Sequence, residues 1–280
     1  MKLHHTLLAS ALFVAVPQAS AGDWQVSVGG FYSTSNTTMD VTSPLTDKSI
    51  ELDFERDLEL SERELLPYLN LSYAFNDKHT VYFDWKSLRR NATKEKVTKP
   101  FETDLGGDQK YQVQAGAKIN STLNIDIARI GYGYTFYEDN NWDLTATLGA
   151  HVMWLEIGFS GEIGACVDNN CSGPVTVAPN TSIYKDATAP LPDIGLVAEY
   201  KINEQWSLIG HGQYFYLKVD EISGSLIDFN GGAKYQFNDN FTASLSYSYY
   251  EVDVDVDGKL SDLNVNFNFH GPMFTLQYEF

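Results

Sequence analysis

Hydrophobic and polar residues alternate with a period of two along most of this chain, and no segment carries a helical repeat. Ile227 to Phe237 gives the clearest example. Ile227, Phe229, Gly231, Ala233, Tyr235 and Phe237 fall on one face, and Asp228, Asn230, Gly232, Lys234 and Gln236 on the other. Side chains of a strand point alternately to opposite faces, so this segment has one apolar and one wet side. Its length suits a tilted strand crossing a hydrocarbon layer, which takes about 9–11 residues.

The pattern predicts ten strands, at about 24–34, 65–75, 80–90, 124–136, 142–154, 189–202, 206–216, 225–237, 241–251 and 265–280. Four of the connections are short, polar and bracketed by bulky residues: Phe75-Asn-Asp-Lys-His79, Tyr137-Glu-Asp-Asn-Asn141, Ile202-Asn-Glu-Gln205 and Phe237-Asn-Asp-Asn240. Asn and Asp tolerate the left-handed geometry of tight hairpins, and flanking aromatics suit a membrane interface. Five further connections, over 43–64, 91–122, 157–188, 217–226 and 251–264, are polar and mostly long. Short turns on one side and longer loops on the other define the expected fold class: an all-β, transmembrane, antiparallel up-and-down β-barrel with periplasmic turns and extracellular loops. Both termini then lie on the periplasmic side.

Eight or twelve strands stay open, because Ser49 to Phe54 can form a further pair or extend the first hairpin. Two places break phase. Ile125 and Ile127 are out of step with Ile130, and Phe267 and Phe269 with Phe274; a bulge at each would restore the pattern. A soluble β-sandwich also alternates, but it needs no aromatic residues at every turn.

Composition sharpens this picture. The chain holds 17 Tyr, 16 Phe and 5 Trp but only 4 Met, as aromatic girdles at two interfaces require. A net charge of −18 argues against nucleic acid as a partner. At the N-terminus Lys2, His4 and His5 precede an apolar run from Leu7 to Val16, then Ala19-Ser20-Ala21. Residues 1–21 are expected to be a signal peptide, with the barrel domain over 22–280. Cys166 and Cys171, four residues between them, are expected to form a local disulfide in an exported chain. No metal site is expected there, since no His neighbours them.

The ending Phe274-Thr-Leu-Gln-Tyr-Glu-Phe280 resembles the terminal assembly signal of Gram-negative outer-membrane β-barrel proteins, with Phe274, Leu276, Tyr278 and Phe280 at the matching positions. That resemblance implies residence in the outer membrane among lipid and lipopolysaccharide, and insertion by the barrel-assembly machinery. The chain also looks like a group of uncharacterised proteobacterial outer-membrane barrels. They share an acidic first loop, here Leu52-Asp-Phe-Glu-Arg-Asp-Leu58, and a Gly-Tyr-Gly-Tyr strand, here Gly131 to Tyr134. A monomer is expected, without a cofactor.

The inward positions include Asp84, Lys86, Arg90, Arg129, Asp143, His151, Glu199, Lys201, His211, Asp228 and Lys234. With both signs present, one reading is a network of ion pairs plugging the lumen, because a stranded buried charge costs several kcal/mol. The other is a narrow porin-like pore for slow passage of small solutes. Ten strands lie near the size that side chains fill, and inward Gly131, Gly133, Gly149, Gly195 and Gly232 would widen it. Acidic outer loops would then favour cations at the mouth.

A surface enzyme, protease or lipid-modifying, is the alternative. It would draw on His151 and His270 near the outer rim with Asp84 or Asp143, or on Ser207 with His211, although no catalytic motif groups them. A loop-mediated ligand-binding or adhesion role is a third possibility. Asp253-Val-Asp-Val-Asp-Gly258 begins like a calcium loop but has Asn264 where such loops place Glu, so it also fits a strand end entering a turn.

Overall fold

The structure is a computed structural model that describes residues 23–43, 48–105, 108–171, 175–220, 222–257 and 262–280. The expected signal peptide, residues 1–21, lies outside the described residues. Thirteen strands and one short helix are present among those described: β1 (Asp23–Ser43), β2 (Lys48–Asp53), α1 (Phe54–Leu58), β3 (Arg63–Asn76), β4 (His79–Lys94), β5 (Phe101–Thr103), β6 (Tyr111–Val113), β7 (Ile119–Glu138), β8 (Trp142–Ala165), β9 (Thr176–Lys201), β10 (Trp206–Val219), β11 (Ile222–Gln236), β12 (Phe241–Val256) and β13 (Asp262–Glu279).

Ten of them form the barrel. Going round it, β1, β3, β4, β7, β8, β9, β10, β11, β12 and β13 each pair antiparallel with the next, and β13 returns to β1. The closing seam runs from Gln25 opposite Glu279 to Thr42 opposite Asp262. At its lower end the Phe280 N–H donates to the Trp24 carbonyl at 2.9 Å. Strands β2, β5 and β6 stand outside the ring, with β2 on β1 and β6 on β8. The extra pair foreseen at Ser49 to Phe54 thus extends the first hairpin without adding to the barrel.

All four short turns use one device. The side-chain oxygen of Asn76, Asp139, Asn203 or Asn238 accepts from the N–H groups two and three residues on, at 2.7–3.1 Å. The expectation of left-handed backbone at these turns is corrected: none of their Asn or Asp residues has positive φ. Their contribution is the side-chain acceptor, which satisfies turn donors that no ladder reaches. At Asp139 the Tyr137 hydroxyl, donating to the carboxylate at 2.7 Å, together with these two backbone donors holds the carboxyl below its usual range.

Just above the turns a belt of rings runs along the outer wall. Trp24 meets Tyr73, Trp142 meets Tyr200, Trp206 meets Tyr235 and Phe241 meets Tyr278, with centroids 4.8–4.9 Å apart. Beyond it Val28, Ile130, Leu148, Ile194 and Leu245 point outward and exposed, as a lipid-facing band requires.

The two expected bulges are absent. β7 pairs with β4, and β13 with β12, without a register shift at those points; the irregularities lie at Ala74/Asn76, Thr135/Tyr137 and Gly161/Ile163. The period-two alternation is unbroken, and it is the apolar face that changes sides. On β7, Leu123, Ile125 and Ile127 point inward and are buried, while Ile130 on the same strand is 65% exposed to the outside. On β13, Phe267 and Phe269 are buried inward while Phe274 faces out.

Above this level the outer face turns polar. Asn124 donates to Glu156 at 2.7 Å, Asn264 to Asp255 at 2.7 Å and Asn266 to Glu251 at 3.1 Å. The Asp253–Val256 segment is therefore strand, its acids paired with Asn264 and Asn266 on neighbouring β13. The expected loops are shorter than predicted for the same reason: strands continue upward with their faces exchanged, leaving 44–62, 95–118 and 166–175 as the larger connections. Cys166 and Cys171 are joined in a disulfide at the tip of the β8–β9 hairpin.

Phe159 on β8 is fully buried against Phe54 and Phe101. Phe159→Ala should cost about 3–5 kcal/mol in denaturant unfolding of the detergent-solubilised protein. Leu148→Ala, on the outer wall, should cost less. Equal losses would mean that position 159 does not face a dry core.

Candidate functional site

The interior is layered from the turns upward. Lowest is a polar vestibule of about 700 Å³, lined largely by hydroxyl side chains such as Ser27, Ser72, Thr145, Ser207, Ser244 and Thr275. These small polar residues occupy inward positions of strands whose outward positions are apolar, so the wall stays thin and the cavity open. Ser244 and Thr275 pair at 2.5 Å, and Thr135 and Thr145 at 2.9 Å. Two ion pairs stand here: Lys234 with Glu199 at 2.7 Å, and Lys201 with Asp143 at 2.8 Å. Glu199 also accepts from Ser207 at 2.7 Å.

The vestibule ends at a charged layer. Arg129 bonds Asp84 at 2.5 Å and reaches His211 Nε2 at 3.2 Å, with its guanidinium 4.6 Å from the centre of the Tyr82 ring. Lys86 pairs with Asp228 at 3.3 Å and lies 4.4 Å from the centre of the Tyr250 ring. His151 Nδ1 sits 3.1 Å from the Asp193 carboxylate, both side chains fully buried. A buried charge is tolerated only with partners; Arg129 and Lys86 have theirs, whereas His151 and Asp193 lie close without a hydrogen bond to any described residue.

Above the charged layer the interior is apolar. Phe31, Met39, Leu88, Leu123, Ile125, Ile127, Phe159, Tyr250, Val252, Phe267 and Phe269 are buried inward from the strands. The acidic first loop folds into the same space. Asp53 caps α1 by accepting from the Arg56 N–H at 2.8 Å, and Glu59 ends it in the left-handed conformation. The turn so formed buries Leu52, Phe54, Leu58 and Leu60 in the core. Its Glu55 accepts from the Thr37 N–H at 2.8 Å and pairs with Arg90, which also donates to Thr37 Oγ1 at 2.5 Å.

All eleven inward residues named from the sequence do point inward, but they make separate pairs at three heights. Arg90 belongs to the apolar core with Glu55, and Lys201 and Asp143 stand near the lower rim. The plug expected of ion pairs is built instead from hydrocarbon above them. Sequence reasoning missed Asp193, Glu55, Tyr82 and Tyr250. Asp193 was hidden just after Pro190 and Pro192, and Glu55 in a loop read as polar.

Gly131 and Gly195 do not widen the lumen, although Gly133 lines the vestibule. A Cβ on Gly131 would lie 2.4 Å from the Tyr82 ring, and one on Gly195 2.5 Å from Gln213 Cγ, so these positions admit a neighbour's side chain. The enzyme clusters do not assemble. His151 is sealed inside and His270 bonds Tyr247 on the outer wall at 2.6 Å. Asp84 and Asp143 are taken by Arg129 and Lys201, and the Ser207 hydroxyl is turned to Glu199.

A closed ring of ten antiparallel strands, girdled by aromatics and wet within, makes this an outer-membrane-type β-barrel. The chain belongs to the family described as "Protein of unknown function, DUF481", which matches residues 68–270. Among solved structures, the outer membrane protease OmpT from Escherichia coli aligns over 92% of this chain and 97% of its own, at 11% identity and a TM-score of 0.58. Ail from Yersinia pestis, in complex with the heparin analogue sucrose octasulfate, aligns over 93% and 100% at 13% identity and a TM-score of 0.34. The toluene transporter TodX of P. putida aligns over 94% and 90% at 9% identity and a TM-score of 0.34. Likeness to OmpT at this identity is a likeness of fold. No curated protein matches the sequence.

Arg90 is buried with Glu55 as its charged partner. Arg90→Met should destabilise the barrel by about 3–5 kcal/mol by stranding that carboxylate, and adding Glu55→Gln should recover most of the loss. Unfolding midpoints of the single and double variants in detergent check this. Equal midpoints would sink the coupling.

Proposed function

We propose that the protein is an integral outer-membrane barrel whose resting state is closed, with a structural role and only slow passage of small polar solutes. One observation carries this: above the polar vestibule and its charged layer, a fully buried apolar core fills the barrel's upper half. An ion or polar solute entering from the turns would meet about ten buried aromatic and aliphatic side chains, and desolvation there costs several kcal/mol per polar group. The turns and both termini then face the periplasm, and the longer connections face outside among lipopolysaccharide. Because the ladder closes within one chain, a monomer suffices. Residues 1–21 would act as the export signal and be removed.

In planar bilayers the protein is expected to give no conductance steps at moderate voltage. Phe54→Ser with Leu58→Ser, which wets the segment folded into the core, should give discrete steps. Steady steps from the unaltered protein would overturn the closed state, as would a folded double variant that stays silent.

Phe274, Leu276, Tyr278 and Phe280 supply the signal proposed to be read by the insertion machinery. Deleting Phe280 removes the N–H that bonds Trp24 and the ring packed edge-on against Tyr278. The expected outcome is a lower fraction of heat-modifiable, membrane-inserted protein on gels. An unchanged inserted fraction would count against that role.

A further inference from the structure

At the roof of the vestibule two inward rows of side chains run across neighbouring strands. In the lower row Gly133, Thr147, Gly195 and Gln213 stand opposite one another in register, on β7, β8, β9 and β10. The row above holds Tyr82, Gly131, Gly149 and Asp193, on β4, β7, β8 and β9. Half of these positions are glycine, so the larger side chains lie across bare backbone. Tyr82 crosses Gly131, and a Cβ on Gly149 would stand 3.1 Å from Asp193 Oδ2. Over Gly195 a Cβ would meet Gln213 Cγ at 2.5 Å and Thr147 Oγ1 at 2.7 Å. The glycines therefore make room for a cluster of oxygen-bearing groups on the lumen side.

Two members of this cluster are buried with nothing to bond. Asp193 is 1% exposed and Gln213 4%. Neither carboxylate oxygen of the one, and neither amide atom of the other, has a hydrogen-bond partner among the described residues. His151, on the next row up, brings Nδ1 to 3.1 Å from the Asp193 carboxylate without making a hydrogen bond. The other cations of the layer are engaged, Arg129 by Asp84 and Lys86 by Asp228. A carboxylate removed from water needs a compensating charge, and a buried amide needs partners. One positively charged, oxygen-seeking guest meets both needs.

The donor set indicates which guest. Both Asp193 oxygens, Gln213 Oε1, Thr147 Oγ1 and the Tyr82 hydroxyl are hard ligands. Zinc sites are built from sulfur and nitrogen, and calcium gathers about six to eight oxygens with carboxylates among them. Among the described residues no group of three or more His, Cys, Asp or Glu could hold such an ion. A single carboxylate among neutral oxygens matches a single positive charge. Thr147 and Tyr82 also line the vestibule, so the cluster is reached from the side of the turns.

We propose that Asp193, Gln213 and Thr147, with the Tyr82 hydroxyl, bind a dehydrated alkali-metal cation that enters through the vestibule. The site depends on the vestibule being open to water, and it stands whether or not the core above is closed.

The test is thermal unfolding of the full chain in detergent at constant ionic strength, with sodium or potassium chloride exchanged stepwise for N-methylglucamine chloride, whose cation is too large for the cluster. The midpoint should rise with sodium or potassium and then saturate, as binding to the folded state requires. Asp193→Asn, which keeps the shape and removes the charge, should abolish this rise while leaving the protein heat-modifiable. Gln213→Leu, which keeps the charge, should raise the half-saturating concentration about tenfold, and it carries the test if the Asp193 variant does not fold. Asp186→Asn, on the exposed upper part of β9, should leave the rise unchanged. A midpoint indifferent to the cation overturns the site: a proton, His151 or water then serves Asp193. A rise that persists undiminished in Asp193→Asn and Gln213→Leu also overturns it, because the cation then binds elsewhere. Neither result bears on the closed core, which the bilayer conductance reports separately.

Discussion

A backbone in hydrocarbon has no water to bond, so every N–H and C=O at that depth must be satisfied by the protein itself. The ten-stranded ladder, closed between β1 and β13, is the answer to that constraint, and the rest of the structure follows from it. Once a strand is held in the ring, each side chain has two destinations, the outside or the lumen, and its neighbours in sequence take the other. The pleat leaves no third choice. Which chemistry belongs at which parity is then set by height alone.

Height divides the molecule into two zones of opposite character. Near the turns the outside is apolar and ringed by aromatics, and the inside is a hydroxyl-lined vestibule. Above the layer of Arg129, Lys86 and His151 the outside carries Asn, Asp and Glu in cross-strand bonds, and the inside is a dry core to which α1 contributes Phe54 and Leu58. The charged layer sits at the change of phase because it must serve both sides. Its pairs are polar toward the vestibule, while the rings of Tyr82 and Tyr250 cover Arg129 and Lys86.

Much of this was legible in the sequence. Alternation located all ten barrel strands, and the four polar turns and the terminal Phe280 set their direction. The membrane-level outward and inward faces were assigned correctly because the alternation there is strong and the turns fix its phase. The upper half was misread for a physical reason. Exchange of the apolar face between Ile127 and Ile130, or between Phe269 and Phe274, looks in one dimension like a slipped residue, so bulges were expected where the strands keep their register. For the same reason the segment Leu52 to Leu58 looked like an acidic polar loop: its acids alternate with side chains whose burial depends on distant Phe101 and Phe159. The His151–Asp193 and Arg90–Glu55 pairs bring together residues far apart in sequence, and no local pattern marks such contacts.

The exchange of faces at mid-barrel has a consequence for how the molecule experiences its surroundings. The lower zone is wrapped in oil and filled with water; the upper zone is wrapped in water and filled with its own hydrocarbon. Only the former borrows its apolar environment from lipid. Stripping the bilayer away removes the outer support of one half and leaves the other resembling an ordinary water-soluble β-protein, so the two ends of a single continuous strand answer to different solvents.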